Sequence, residues 1–136
     1  MNAGGSPLEV VQACLAAHRA LDWTRLRALF HPEARIGVFA GGGTPDDPER
    51  AIAAMQRAHA QDAAYQASVS NMRQLDGRAV LLHGRVRHST RDGGFADVER
   101  YWLYVVRDGR LYRSAVYGSA EEALAAYEEQ GEMLGA

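Results

Sequence analysis

The segment 97–118 constrains this chain most. Two runs of aromatic and β-branched residues, 97–106 and 110–117, flank Arg107-Asp108-Gly109. An Asp-Gly pair between strand-like runs predicts a tight hairpin, because both central residues of such a turn need positive φ. Ser119-Ala120-Glu121-Glu122 then reads as a capping box that opens a helix to about residue 129. The tail 130–136 is expected to fray.

Upstream of the hairpin the pattern changes period. Ser6-Pro7-Leu8-Glu9 combines an N-cap, a proline at the first helical position and a capping-box glutamate. Leu8, Val11, Leu15 and His18 follow at helical spacing, flanked by Val10, Cys14, Ala17 and Leu21. Asp22 caps a short second helix with Trp23, Leu26, Leu29 and Phe30, and His31-Pro32 ends it. A short strand is expected over 34–39 and a glycine-rich loop over 40–45. Asp47-Pro48-Glu49 caps a third helix to about Gln61, with Ala51, Ile52, Met55, Ala58 and His59 on its buried side. Strands are expected over about 64–75, 78–90, 95–107 and 110–117, with Asp76-Gly77 and Asp92-Gly93-Gly94 as turns. Helices first and a strand meander afterwards give an α+β class, and 136 residues fit one domain, 1–136, with a real core.

Composition narrows the function classes. A net charge of −2 gives no basic footprint for nucleic acid, although arginines crowd the strands. No run approaches the ~18 apolar residues of a membrane span. The N-terminus has neither a basic start nor an apolar stretch, so a cytoplasmic location is expected. Cys14 is the one cysteine, which rules out an internal disulfide and a thiolate cluster. All 15 basic residues other than histidine are arginine, so no lysine can form a Schiff base or act as a general base. The five histidines, at 18, 31, 59, 83 and 88, show no metal-ligand spacing, and no metal is expected. Serine-hydrolase and phosphate-loop patterns are absent.

The final hairpin with its closing helix, together with the order and lengths of the elements before it, resembles the nuclear transport factor 2-like superfamily. That superfamily includes ketosteroid isomerases and SnoaL-type polyketide cyclases. The resemblance implies a cone: a curved antiparallel sheet packed on three N-terminal helices, with a short C-terminal helix and a ligand cavity inside. The isomerase helix junction, Gly-Asp, matches Leu21-Asp22. Aligned from there, the isomerase oxyanion-donor tyrosine falls at Cys14, its proton-moving aspartate at Val38 and its buried acid at Tyr101. Valine cannot act as a base, so a true ketosteroid isomerase is not implied.

Under the same alignment the strand side chains facing inward are Val80, Leu82, Gly84, Val86 and His88. On the next strand they are Asp97, Glu99, Tyr101, Leu103 and Val105, and on the last Tyr112, Ser114 and Val116. On the strand from residue 64 they are Gln66, Ser68, Ser70 and Met72. The expected catalytic set is Tyr101, Glu99 and His88, a carboxylate and an imidazole for proton transfer beside a phenol for an oxyanion. Glu99 alternatively pairs with an arginine at a strand end. The expected cavity lining is Cys14, His18, Trp23, Val38, Met55, His59, Val86, Leu103, Ser114 and Val116. His18 and His59 could equally be hydrogen-bonded core histidines, and His31 helix-end punctuation. Trp102, Tyr104 and Val106 are expected on an outer face that supports a homodimer.

These readings lead to a cofactor-independent isomerase, cyclase or dehydratase acting on an apolar carbonyl compound, polyketide- or steroid-like. Two alternatives use the same fold: a non-catalytic binder of an apolar small molecule, and a dimeric interaction module with a filled cone.

Overall fold

The computed structural model describes residues 6–37, 46–62 and 65–135. Helix α1 spans Pro7–Arg19, α2 Trp23–Leu29 and α3 Pro48–Gln61. Strands β1 (Phe30–Ile36), β2 (Gln66–Gln74), β3 (Ala79–Ser89), β4 (Phe95–Arg107) and β5 (Arg110–Tyr117) form one curved, unclosed sheet, and α4 spans Ala120–Gly135. The architecture is α+β.

Local chemistry sets the element ends. Ser6 and Glu9 make a reciprocal capping box on α1, Asp22 accepts from Arg25 N on α2, and Asp47 accepts from Arg50 N on α3. Helix α1 ends in a Schellman motif: Asp22 N donates to Ala17 O at 2.9 Å and Leu21 N to His18 O at 3.0 Å. Leu21 holds the left-handed position of that motif at φ 55° and is 49% exposed. A side chain in this conformation is strained and here buries little. Leu21→Gly should therefore raise stability by about 0.5 kcal/mol, measured as a higher urea midpoint.

The sheet order is β1-β5-β4-β3-β2. The β4–β5 hairpin closes on Asp108 (φ 53°) and Gly109 (φ 72°), the two left-handed residues that its sequence demands. Three features differ from the expectation. The sheet is mixed, because β1 runs parallel to β5. Strand β1 starts at Phe30, so His31-Pro32 lies inside an edge strand, where proline removes no needed ladder bond. Helix α4 continues to Gly135 past the expected end.

Strand β2 approaches β3 closely at one point of their ladder. Its register slips between Val69 and Asn71, a bulge, and the β2 backbone passes directly over Gly84. A Cβ at Gly84 would lie 2.0 Å from the Ser68 carbonyl oxygen, so only glycine permits the approach.

The core has two parts. Val10, Val11, Cys14 and Ala17 of α1 pack with Leu26, Phe30, Ile36, Ala51, Val80, Leu82 and Trp102 inside the sheet's curve. On the opposite face Ala79, Leu103 and Val105 are covered by Tyr127 of α4, together with Leu75 and Tyr117. The Tyr127 hydroxyl donates to Asp76, whose other carboxylate oxygen accepts from Arg78 N (2.7 Å) and Ala79 N (2.8 Å) in the β2–β3 turn. No helix of the described residues is long and apolar enough to cross a membrane.

Candidate active site

Between the helices and the inner sheet face lies a cavity of about 850 Å³. Its floor comes from alternate residues of the two central strands, Val86 and His88 of β3 and Val98, Arg100, Trp102 and Tyr104 of β4. Strand pairing fixes this parity. Ser89 faces Phe95 at the hairpin end, so Leu82 faces Trp102, Gly84 faces Arg100 and Val86 faces Val98, with no slip along the ladder.

That register corrects the expected inward set on β4. Glu99 and Tyr101 point to the outer face, with Asp97. There Glu99 Oε2 lies 2.8 Å from His83 Nε2, the Tyr101 ring stacks on His83 at 4.4 Å and 8°, and Arg85 Nε donates to Asp97 at 2.8 Å. The pairing alternative for Glu99 is thus realised, with a histidine in place of an arginine. Leu103, also expected in the lining, is buried on the outer face under α4. Conversely Trp102 and Tyr104, expected outside, line the cavity, and Val106 packs in the inner core. On β2 the expected Gln66, Ser68 and Met72 do border the cavity, and Ala67 and Val69, which pair with the inward Val86 and Gly84, border it as well. Ser70, at the bulge, donates to the His83 carbonyl instead.

Other expected lining residues fall as follows. Cys14, His18, Met55, His59, Val86, His88, Ser114 and Val116 all border the cavity. Trp23 does not; it packs behind the histidines, its ring 5.8 Å from His18 and 6.0 Å from His59. Val38 lies outside the described residues. His31 sits on β1 against Tyr112, 3.4 Å from Asp108.

The polar focus of the cavity is an imidazole pair. His18 occupies the last turn of α1 and His59 the last turn of α3, and the two Nε2 atoms are 3.2 Å apart. At that distance one Nε2–H donates to the other Nε2, which leaves the donor ring a free Nδ1 lone pair. Burial, and then the neighbouring His59, lowers the His18 pKa from its usual 6.5. Tyr65 meets the edge of His59 at 5.2 Å. Burial, with Cys14 and Tyr65 adding, raises the Tyr104 pKa, so its hydroxyl stays a donor. Burial also pushes the Cys14 thiol up to about 12, opposed in part by Arg25, so Cys14 is no thiolate nucleophile.

Position 88 carries a further imidazole, its Nδ1–H donating to the Ser89 carbonyl at 3.1 Å. None of the described lining residues is acidic, and among the described residues no cluster of three metal-ligating side chains occurs.

Solved structures match this arrangement closely in backbone. A protein of the same fold type from Burkholderia thailandensis superposes with a TM-score of 0.74 at 17% identity, covering 88% of this chain and 97% of that one. The fold is that of the nuclear transport factor 2-like superfamily. IdmH, a candidate polyketide cyclase from Streptomyces antibioticus, is similar over 90% of this chain and 98% of its own, at 23% identity and a TM-score of 0.65. A hypothetical protein with a ketosteroid isomerase-like fold from Catenulispora acidiphila, solved with trimethylamine, matches at 19% identity and a TM-score of 0.69, covering 86% and 90%. No family model and no curated protein matches the sequence.

The residues that sequence reasoning missed are Arg100, Trp102, Tyr104 and Tyr65. A signal for the first three was present. Asp97 and Glu99 alternate in step with His83, Arg85 and Arg87 of the preceding strand. Pairing opposite charges across the hairpin would have put all five on one face and the even-numbered residues of β4 on the other.

Proposed function

We propose that this protein is a cofactor-independent enzyme of the isomerase, cyclase or dehydratase kind, acting on an apolar carbonyl compound held in the cavity. The observation that carries the reading is the His18–His59 contact on the wall of an otherwise largely apolar space. A proton removed from the carbon beside the substrate carbonyl goes to the free Nδ1 of the donor imidazole. The resulting imidazolium is stabilised through its Nε2–H bond to the second ring. Charge developing on the carbonyl oxygen meets the Tyr104 hydroxyl, a donor held protonated by burial. Returning the proton to another carbon completes an isomerisation. Attack of the enolate carbon on a second carbonyl closes a ring, its π electrons passing to the carbonyl oxygen, which takes the proton back from the imidazolium.

Proton NMR in D2O, following loss of the α-proton signal of an enolisable ketone such as 2-tetralone, tests the chemistry without knowledge of the natural substrate. Exchange faster than in buffer, lost in His59→Gln, supports it. Exchange no faster than in buffer across a panel of β-diketones and cyclic ketones sinks it. A non-catalytic binder is the second reading, favoured by the lack of any carboxylate among the described lining residues. It predicts saturable quenching of Trp102 fluorescence by such ketones with no exchange.

A homodimer through the outer sheet face and a cytoplasmic site of action belong to the same proposal. The outer face offers His83, Arg85, Arg87 and Phe95, 60% exposed, to such a dimer. Sedimentation equilibrium reads the first expectation and cell fractionation the second.

A further inference from the structure

Among the described residues the charge lining the cone is of one sign. Arg100 rises from the middle of β4 into the cavity, opposite Gly84, and Arg19 stands at an exposed position on the rim. Six arginines away from the cavity meet an acid or a ring: Arg27 with Glu49, Arg50 with Asp47, Arg85 with Asp97, and Arg87, Arg107 and Arg113 over aromatic rings. Arg100 has no such partner among the described residues. Its one hydrogen bond runs from Nη1 to the carbonyl oxygen of its own neighbour Glu99, at 2.8 Å. Asp62, beside the segment that leads to Tyr65, accepts from Ser89 N and Oγ, both at 2.8 Å, and does not line the space.

A half-buried guanidinium in a largely apolar cavity gives up solvation, and among the described residues no carboxylate compensates it. Arg100 borders the cavity, and with only Nη1 bonded among the described residues its Nε–Nη2 edge is left, the edge that can bind an acidic group through two parallel hydrogen bonds. We propose that the cavity selects apolar molecules carrying an acidic group, with the anion on Arg100 and the apolar body between α1 and the inner sheet face. This rests on reading the cavity as a ligand site, and it adds the class of ligand: an apolar carbonyl compound that also carries an acidic group, with neutral ketones as weaker-binding members of the same series.

A matched pair of dyes tests it. 1-Anilinonaphthalene-8-sulfonate and N-phenyl-1-naphthylamine share one ring system and differ by the acidic group, and both fluoresce on entering an apolar site. The sulfonate should bind the wild-type protein at least about tenfold more tightly, the size of one charge-assisted hydrogen bond. Arg100→Gln should remove that preference while leaving the neutral dye's Kd within about twofold, and Arg100→Lys should keep part of it. Displacement of the neutral dye by decanoate at a concentration about tenfold below that needed with decanol gives the same answer on wild-type protein alone, should Arg100→Gln fail to fold. Equal or tighter binding of the neutral dye, or an unchanged ratio in a folded Arg100→Gln, overturns the acid preference and leaves the cavity reading standing. Saturable binding of neither dye overturns both.

Discussion

The two faces of β3 and β4 are built from adjacent residues and obey opposite rules. On the outer face each polar side chain finds a protein partner one diagonal step across the ladder: His83 with Glu99, Arg85 with Asp97, Arg87 over Phe95. On the inner face no carboxylate lies beside Arg100 or Tyr104 among the described residues, and His18 and His59 meet each other. An outer face whose charges are satisfied by each other asks for no small ligand. An inner face with donors left over asks for a ligand, which is why the inner face is where function is sought.

The largest effect should come from breaking the inner face chemically. His59→Gln and Tyr104→Phe should each lower α-proton exchange by about 100-fold, with melting temperatures within a few degrees of wild type. Retained exchange in both would move the chemistry off this wall.

Next in size is a break in the geometry that makes the two faces different. Gly84→Ala forces a methyl group against the β2 backbone, and the strand can only retreat. A loss of about 3 kcal/mol in chemical denaturation is expected, with β2 amides losing hydrogen-exchange protection first. A loss below about 1 kcal/mol would mean that the β2 backbone yields easily at this approach.

A smaller effect separates the faces by pH. His18 has a folded pKa below its unfolded value of about 6.5, so the unfolded chain binds more protons as pH falls below that value. Stability should be flat above about pH 7.5 and should decline on acidification through about 6.5, levelling below the folded pKa. His18→Gln should flatten the curve. The depressed pKa also keeps His18 neutral and proton-accepting on the acid side of 6.5. A decline in stability that is unchanged in His18→Gln would assign it to other groups.

Much of this was legible from residue types alone. Capping residues placed α1, α2 and α3, and Asp108-Gly109 placed the last hairpin, because those signals are local and depend on a few hydrogen bonds. The facing of β4 was not legible from a distant resemblance, since aligning to a family carries a one-residue uncertainty and one residue exchanges the faces. Both β2 and β5 also contain register slips, at Val69/Asn71 and opposite Val105/Val106, which no alternation rule anticipates. The His18–His59 contact joins the ends of two helices far apart in sequence, and packing alone determines it.

The smallest effect belongs to the outer face and is the sharpest check on which face works. Glu99 is about half exposed, and a solvent-screened pair with His83 contributes roughly 0–1 kcal/mol. Tyr101 contributes its ring to the stack on His83, and phenylalanine keeps that ring. Glu99→Gln and Tyr101→Phe should therefore change stability by less than about 1 kcal/mol and leave exchange and dye binding within about twofold of wild type. The same two substitutions would abolish turnover if these side chains reached the substrate. A folded Glu99→Gln that has lost tenfold or more in exchange would thus reverse the comparison: the self-paired ladder would be the working surface, and the cavity would be a space without chemistry.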